Sequence, residues 1–486
     1  AAAVLGLVHA PLALAESAAG EQSLEDVAKR MRYWQEVAPG MHAAPKEKDA
    51  RRYLVVEEDG AGVNNKRIGW EMAGVIALHV GRTLVLPPNT VWWMVDHNGS
   101  TTKLQDFVNL DQMKGGLPTL TLKEFALKER EAMCLPDYLV KDELAGPDRV
   151  AWKKFALANF KNFLQPGMKP ADWCDLSAYA GDEAVVYADH GPEGRLLDCA
   201  TWWRLGEPAF TEAKKTWTIP NSAYSLLRNH FVWHKDVFEL AAPIVRELGL
   251  FKYVALHARF GDFKEFDPAA VQPADSILAK WTQSALPTGE GIPPGEVALV
   301  QTSGRIVRKA LPISSLEMDA VRASTNAGRS RMRAESVLAR IMKWVEPGTV
   351  VYISTDEKDE SFIRTFKDRG LDARWSRDFF GKADSPISQL EARDPVRAEK
   401  LRGCVEQVIC SFGKIFLGTF KSTFSAYITR MRIYADAPQR GSTAQTRLFH
   451  TEAPTENTTR AVEQQMAEWE ARGGLAGLDK SDAGVF

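Results

Sequence analysis

The sequence has almost no excess charge of either sign and no long apolar run beyond its first residues. Its 61 Lys and Arg residues against 63 Asp and Glu residues give a net charge of −2. Such a balance offers no global field for a nucleic acid or an anionic membrane. Past the N-terminus, no stretch approaches the roughly eighteen apolar residues of a transmembrane helix. We therefore expect a water-soluble body with no nucleic-acid partner.

Paired metal or redox motifs are also missing. The 5 cysteines include no CxxC pair, so a metal or redox site of that type is not indicated. Cys174 and Cys199 flank a loop-rich segment and could form a disulfide in an oxidising compartment, with buried free thiols as the alternative. No GxGxxG follows the first predicted strand, which argues against a nucleotide-binding dehydrogenase.

The N-terminus does carry one short apolar stretch, AAAVLGLVHAPLALAES. About fifteen apolar residues are too few to span a bilayer. Residues 13–15 (Ala-Leu-Ala) before Glu16 fit a small-x-small cleavage site, so we interpret the stretch as the remnant of a signal or transit peptide. A docked apolar helix and a truncated membrane anchor are the alternatives. Sequons at Asn98 and Asn457 agree with the expected secretory pathway or other targeted compartment.

Length and composition predict more than one packed domain. The chain has 486 residues, 45% hydrophobic and 26% charged, which favours two cores of about 200 residues each. We divide it into a leader with a linker helix, a first domain, a second domain with a surface insertion at 264–314, and a C-terminal helix with tail. The leader and linker helix span 1–50, the first domain spans 51–240, the second spans 241–450, and the C-terminal helix and tail span 451–486.

Short apolar runs alternate with amphipathic stretches along both domains. YLVV (53–56) and TLVL (83–86) predict strands, and IGWEMAGVIALHVG (68–81) predicts a helix between them. After residue 240 the pattern repeats. Its predicted elements are helices at 236–250 and 331–345, strands at 253–258, 349–356 and 414–417, and a final helix. Strand, loop, helix and strand predict an α/β class with two Rossmann-like domains, parallel sheets and a cleft between them.

Four predicted strands end in polar loops. Ligands of open parallel sheets bind at the carboxyl ends of strands, because unpaired N–H groups are available there. The loops are GAGVNNKR (60–67), HARFGDF (257–263), STDEKDE (354–360) and GTFKSTFS (418–425).

These loops carry side chains suited to a diphosphate. Arg259 could clamp it through two parallel hydrogen bonds, or could form a structural salt bridge with Asp262. Asp356 could accept a hydrogen bond from a nucleobase or cap the next helix. The hydroxyls of 418–425 could surround an anion at a helix start, although the Gly-Lys-Ser/Thr of a P-loop is absent.

The same motifs resemble those of the GDP-fucose protein O-fucosyltransferases and their plant and algal relatives. The counterparts are AGVNNKR, HARFGDF, YISTD and FLGTFKSTFS, in the same order and spacing, over roughly residues 52 to 435. The resemblance implies a GT-B fold. It also implies an inverting, metal-independent transfer of fucose from GDP-fucose to a hydroxyl of a protein or glycan, with no cofactor and no metal site.

The resemblance also assigns residues. Those expected to contact the donor are Arg259 at the diphosphate, Ser422, Thr423 and Phe424 in the phosphate-binding segment, Asp356 on the guanine side, Asn64 near the fucose and acceptor, Gly62 in the first loop, and His257 as a shaping or nucleotide-contact residue. The expected catalytic residues are Arg259, Asn64 and Asp262. From the residues themselves, we also expect Asn64 and Arg67 to direct polar groups into the cleft.

One position departs from the family pattern. Some relatives place a Glu just before the Gly-x-Asn of the first loop, where it can act as general base, and this chain has Ala61 there. Glu58, Asp59 and Asp262 are candidates in its place, and we favour Asp262. The loop VNNKR also replaces the paired glutamines or arginines common in the family, so the acceptor cannot be read from it.

Two functional hypotheses therefore stand. The first is an active fucosyltransferase, with another deoxysugar donor such as UDP-rhamnose as a variant. The second is an inactive glycosyltransferase-like scaffold that serves as a subunit of a larger assembly. Arg259, Asp356 and the Ser422-Thr423 pair favour activity, because a drifting scaffold has no need of a phosphate clamp.

Overall fold

The computed structural model shows two parallel β-sheets with helices on both faces. The residues it describes are 23–38, 40–45, 51–57, 62–92, 101–162, 176–189, 221–260, 330–331, 333–341, 344–419, 422–435 and 445–449. The predicted leader, insertion and C-terminal helix, both sequons, and Cys174 and Cys199 lie outside them. The predicted α/β class with two parallel sheets is confirmed, while the proposed domain boundaries stay predictions.

The strands are short, and the central ones are buried. In chain order they are β1 (Tyr53–Val56), β2 (Thr83–Leu86), β3 (Thr119–Thr121), β4 (Val185–Ala188), β5 (Val254–Ala258), β6 (Val350–Thr355), β7 (Asp372–Trp375), β8 (Ile415–Thr419) and β9 (Gln445–Phe449).

Helices connect most of the strands. They are α1 (Leu24–Met31), α2 (Val63–Val80), α3 (Leu110–Gly116), α4 (Leu122–Glu129), α5 (Gly146–Asn159), α6 (Asn221–Asn229), α7 (Lys235–Leu248), α8 (Glu360–Asp368), α9 (Ser376–Phe380), α10 (Pro386–Arg393), α11 (Pro395–Ser411) and α12 (Thr423–Tyr434). Residues 333–341 are also helical. None of the helices in the described ranges is long and apolar enough to cross a membrane.

The first sheet has the strand order β3-β2-β1-β4. Tyr53 of β1 is in parallel register with Thr83 of β2 and with Val185 of β4. Helices α2 and α3 pack on one face, and α4 and α5 pack on the other. The order therefore reverses between β1 and β4, because β2 and β3 lie on one side of β1 and β4 lies on the other.

The second sheet has the order β7-β6-β5-β8-β9 and reverses between β5 and β8. His257 of β5 is in register with Ser354 of β6 and with Gly418 of β8. Residues 333–341 and α8 cover one face, whereas α11 and α12 cover the other. A crevice at the carboxyl ends of the strands is expected where the order reverses.

A single hydrophobic core joins the two sheets. Leu54 of β1 and Ala255 of β5 belong to the same buried cluster, together with residues of α2, α7, α11 and α12. Helix α1 enters this core after the predicted capping residue Ser23, whose Oγ accepts a hydrogen bond from the Asp26 N–H. Trp34 then packs edge-on against Phe238, with ring centroids 4.8 Å apart.

Several elements differ from the sequence prediction. Helix α2 begins at Val63 instead of residue 68, so most of the expected 60–67 loop that is described is helical. Strands β3, β4, β7 and β9 were not predicted, and within the described residues all four are edge strands of their sheets. Strand β8 runs through Thr419, two residues past its predicted end.

Candidate active site

The carboxyl ends of β5 and β8 meet where the second sheet reverses its order. Arg259 follows β5, and Thr419 is the last residue of β8. The Oγ1 hydroxyl of Thr419 donates to the His257 carbonyl at 2.9 Å and accepts from the Arg259 N–H at 3.0 Å. Thr419 as a whole is 1% exposed, so water does not compete for these two hydrogen bonds. Thr419 therefore fixes the backbone from which the Arg259 side chain extends.

Asp356 holds the next residue in the same way. Its carboxylate accepts the Phe260 N–H, at 2.9 Å for Oδ1 and 3.3 Å for Oδ2. The helix that follows is capped by Asp359, not by Asp356. The alternative of a helix cap is therefore wrong, and Asp356 instead joins the ends of β6 and β5. Its guanine-side role stays a prediction.

His257 is buried directly below Arg259. Its Nδ1 lies 2.8 Å from the Ser425 Oγ, and its ring stacks on Phe424 with centroids 4.5 Å apart. Burial, with the nearby Arg259 charge as a second cause, lowers the pKa of His257 to about 3. Burial therefore keeps this ring neutral near neutral pH. The shaping or nucleotide-contact role expected for His257 stays a prediction.

A second buried polar pair lies beside His257. Ser354, its register partner on β6, donates to Glu406 of α11 at 2.6 Å. Burial raises the pKa of Glu406 above its ordinary value. The strand ends of the second sheet therefore rest on a polar layer in place of a purely apolar one.

The start of α12 supplies the third part of the site. Ser422 is buried and precedes the helix, and Thr423 and Phe424 form its first turn. This first turn contains no acidic residue. The exposed N–H groups and the positive end of the helix dipole are thus not neutralised by a local carboxylate, which suits an anion.

Helix α2, which packs on the first sheet, also reaches this region. Asn64 lies in the first turn of α2, and its Oδ1 accepts from the Gln407 Nε2 at 2.8 Å. Gln407, which is 1% exposed, also approaches the Phe424 carbonyl at 3.4 Å. Sequence reasoning missed Gln407, although a lone amide inside the apolar stretch CVEQVIC was a signal. The structure thus brings Asn64 close to the phosphate-binding segment.

Gly62 caps the start of α2 with an ordinary extended backbone, at φ −70°. A Cβ built on Gly62 would meet nothing within 4 Å. Packing by the described residues therefore does not demand a glycine here.

The expectation for Arg67 is wrong. Its side chain is 2% exposed, donates to Glu71 at 3.2 Å and to the Phe231 carbonyl at 2.7 Å, and lies over the Trp233 ring at 3.6 Å. Glu71 also accepts from Tyr427 and Arg430 of α12. Arg67 therefore belongs to a buried charge network that joins α2 to α12, and it does not face the cleft.

Four residues considered in the sequence analysis lie outside the described residues: Asp262, Glu58, Asp59 and Ala61. The structure brings together Arg259, His257, Asp356, Ser422, Thr423 and Phe424 at one edge, with Asn64 reaching them through Gln407.

Two parallel sheets that share a helical layer form the architecture expected for a GT-B fold. The chain belongs to the GDP-fucose protein O-fucosyltransferase family, whose model matches residues 53–435. The resemblance seen in the motifs is therefore confirmed, and with it the GT-B fold class.

Solved structures of fucosyltransferases are similar to this chain. The crystal structure of POFUT1 in complex with GDP shares 12% identity, covering 82% of this chain and 98% of that chain at a TM-score of 0.40. POFUT1 in complex with GDP-fucose shares 12%, covering 84% and 99% at 0.39. The fucosyltransferase NodZ from Bradyrhizobium shares 10%, covering 78% and 92% at 0.35. No curated protein sequence matches the chain.

Proposed function

We propose that this protein transfers fucose from GDP-fucose to a hydroxyl of a protein or glycan, with inversion at the anomeric carbon and without a metal ion. Family membership supports the donor class. The observation that carries the proposal is the position of Arg259, anchored by Thr419 and followed by a residue anchored by Asp356, at the strand-order reversal.

The chemistry needs fixed positive charge at the diphosphate. As the glycosidic bond breaks, the sugar gains oxocarbenium character and negative charge builds on the departing GDP. Arg259, the hydroxyls of Ser422 and Thr423, and the N–H groups at the start of α12 would stabilise that charge. Because Thr419 and Asp356 already hold the backbone, little reorganisation is needed when the charge develops.

His257 and Asn64 would take supporting parts. Because His257 is neutral, it adds no positive charge beneath the diphosphate to that of Arg259. Asn64, held by Gln407, would orient the fucose or the acceptor hydroxyl from the first domain. We further propose that the protein acts in the secretory pathway, or in another targeted compartment, on a nucleotide sugar and a protein or glycan acceptor.

The test is release of GDP from GDP-fucose by the purified chain, with UDP-rhamnose as the comparison donor. We expect turnover with GDP-fucose, unchanged by EDTA, and an inverted product by NMR. If the chain releases UDP from UDP-rhamnose but releases no GDP from GDP-fucose, the donor assignment is overturned. Release that depends on a divalent cation would overturn metal independence, and neither binding nor release with any nucleotide sugar would favour the scaffold hypothesis.

A further inference from the structure

A buried amide on α11, that of Gln407, connects the first turns of α2 and α12. Gln407 is 1% exposed, and its Nε2 donates to the Asn64 Oδ1 of α2 at 2.8 Å. The same nitrogen donates to the Phe424 carbonyl of α12 at 3.4 Å. The Phe424 ring in turn stacks on His257, the residue below Arg259. Gln407 therefore joins the start of α2 to the segment of the candidate site that we expect to bind phosphate.

Its neighbours fix which way the Gln407 amide points. A side-chain amide carries a donating NH₂ group and an accepting oxygen, whereas a backbone carbonyl can only accept. Because the Phe424 carbonyl faces Gln407, the NH₂ group has to lie on that side. Turning the amide over would bring its oxygen against the Phe424 carbonyl oxygen. The second N–H of the same NH₂ group then points at Asn64.

The orientation of the Asn64 amide follows from that of Gln407. An N–H of Gln407 needs an acceptor, so Asn64 turns its oxygen toward Gln407 and its own NH₂ group away from it. Within the described residues, the Nδ2 of Asn64 has no hydrogen-bond partner. Asn64 is also half-buried instead of enclosed. It therefore offers a ligand two N–H donors, while its oxygen is engaged by Gln407.

We propose that Gln407 is a positioning residue of the transfer reaction, which holds the Asn64 amide with its NH₂ group toward an oxygen of the nucleotide sugar. The inference rests on the proposed function and deepens it. Phosphate oxygens accept hydrogen bonds, so an amide held in this orientation complements them, whereas the opposite orientation would set oxygen against oxygen. An amide fixed in advance also needs no reorganisation when negative charge develops on the leaving group.

A double-mutant cycle in the hydrolysis of GDP-fucose, with water as the acceptor, tests this role. Gln407→Leu removes the amide, so Asn64 is free to turn over, and we expect kcat/KM to fall about tenfold. Asn64→Ala loses the donating group itself and should fall about 10-fold to 100-fold, the range for a hydrogen bond to a charged group. The double variant should be no slower than Asn64→Ala, because Gln407 acts through Asn64.

Gln112 of α3 provides the matched control. It is 3% exposed, and its Nε2 also donates to two acceptors, the carbonyls of Gln35 at 2.8 Å and Asn229 at 2.6 Å. Gln112→Leu and Gln407→Leu should both unfold at a lower urea concentration than the wild type, since each loses a buried amide. Under conditions where all the proteins are folded, only Gln407→Leu should lose kcat/KM.

The possible failures are distinct. If Gln407→Leu lowers kcat/KM equally with Asn64 present and with Asn64→Ala, Gln407 does not act through Asn64 and the inference is overturned. If Gln407→Leu or Asn64→Ala keeps the wild-type kcat/KM, the inference is overturned and the proposed function stands.

The wild type decides how the cycle is measured. If the wild type binds GDP but releases none from GDP-fucose, affinity for GDP-fucose replaces kcat/KM in the same cycle, and the same two patterns support or overturn the role of Gln407. If the wild type neither binds GDP nor releases it, the proposed function fails and this inference fails with it.

Discussion

The two sheets of this protein reverse their strand order in the same way but present opposite chemistry there. In the second sheet, the reversal between β5 and β8 presents Arg259 beside the start of α12. In the first sheet, the reversal between β1 and β4 presents the Glu57 carboxylate beside the Tyr187 hydroxyl. The backbone thus supplies equivalent positions, and the side chains decide which charge a position presents.

The two reversals also differ in what holds them. At the second, side chains of Thr419 and Asp356 bond to backbone N–H groups, so the polypeptide itself is fixed. At the first, the Glu57 N–H donates to the Ala188 carbonyl at 3.1 Å and the Glu57 carboxylate accepts from the Tyr187 hydroxyl at 2.6 Å, so no side chain fixes the backbone there. A rigid dipole arrangement is what stabilisation of a developing charge requires.

The largest expected effect breaks the connection between the two sheets. Glu71 of α2 binds Arg67 of its own helix and Arg430 of α12, and it is 1% exposed. Glu71→Gln leaves two buried guanidinium groups without their carboxylate, so we expect the free energy of unfolding to fall by about 3–5 kcal/mol. Urea unfolding followed by circular dichroism measures it.

The matched control is an exposed ion pair. Lys123 and Asp142 lie 2.6 Å apart, with side chains 39% and 85% exposed. Because exposed pairs contribute about 0–1 kcal/mol, Asp142→Asn should change stability little. Equal losses for the two variants would mean that the buried network does not hold the domains together.

The next prediction tests whether the hydroxyl of Thr419 fixes the backbone at the ends of β5 and β8. Thr419→Val keeps the side-chain volume but leaves the His257 carbonyl and the Arg259 N–H without their shared hydroxyl. We expect a loss of about 1–3 kcal/mol of stability and roughly tenfold weaker GDP binding. Urea unfolding and calorimetry measure the two quantities.

Thr365→Val is the control for that substitution. Its Oγ1 donates to the Ser361 carbonyl within α8 at 2.7 Å, and Thr365 is 5% exposed. It should lose about 1 kcal/mol of stability and keep its affinity for GDP. If Thr419→Val binds GDP as tightly as Thr365→Val does, the hydroxyl does not organise the site.

The smallest effect concerns pH. An unfolded His257 has an ordinary pKa of 6.5, and the folded one is lowered to about 3, so between these values the unfolded chain takes up a proton that the folded chain does not. The stabilising contribution is complete above pH 6.5 and is lost as the pH falls, by up to about 1.4 kcal/mol per pH unit. Urea unfolding at pH 7.5 and 5.0 should therefore show a steeper loss for wild type than for His257→Asn.

His42 provides the reference for this pH measurement. Its side chain is 47% exposed. His42→Asn should lose stability between pH 7.5 and 5.0 as the wild type does. If His257→Asn shows the wild-type pH dependence too, His257 is not held neutral in the folded protein.

Much of the fold was predictable from short apolar runs. YLVV, TLVL and the run before His257 became β1, β2 and β5, because buried parallel strands are apolar along their whole length. The order and spacing of the strand-end motifs predicted the family, since those motifs occupy the carboxyl edges where ligands bind. These features depend on local sequence, so one sequence is enough to predict them.

What escaped prediction depends on contacts between distant segments. The polar run Asn64 to Arg67 looked like a loop, yet it is helical because Gln407, Glu71 and aromatic rings of the other domain satisfy its side chains. Glu57 was not singled out from the sequence, and only the pairing of β1 with β4 sets it beside Tyr187. Gln407 lies 343 residues from Asn64, and Tyr187 lies 130 residues from Glu57.

The central claim is that the reversal of the second sheet binds the diphosphate through Arg259. Calorimetric titration of GDP into the purified wild type, Arg259→Ala and Arg364→Ala tests it most directly; Arg364 is an exposed arginine on α8. We predict equal affinity for wild type and Arg364→Ala, and about 10-fold to 100-fold weaker binding for Arg259→Ala, the loss expected for a hydrogen bond to a charged group. Equal GDP affinity in all three proteins would contradict the claim.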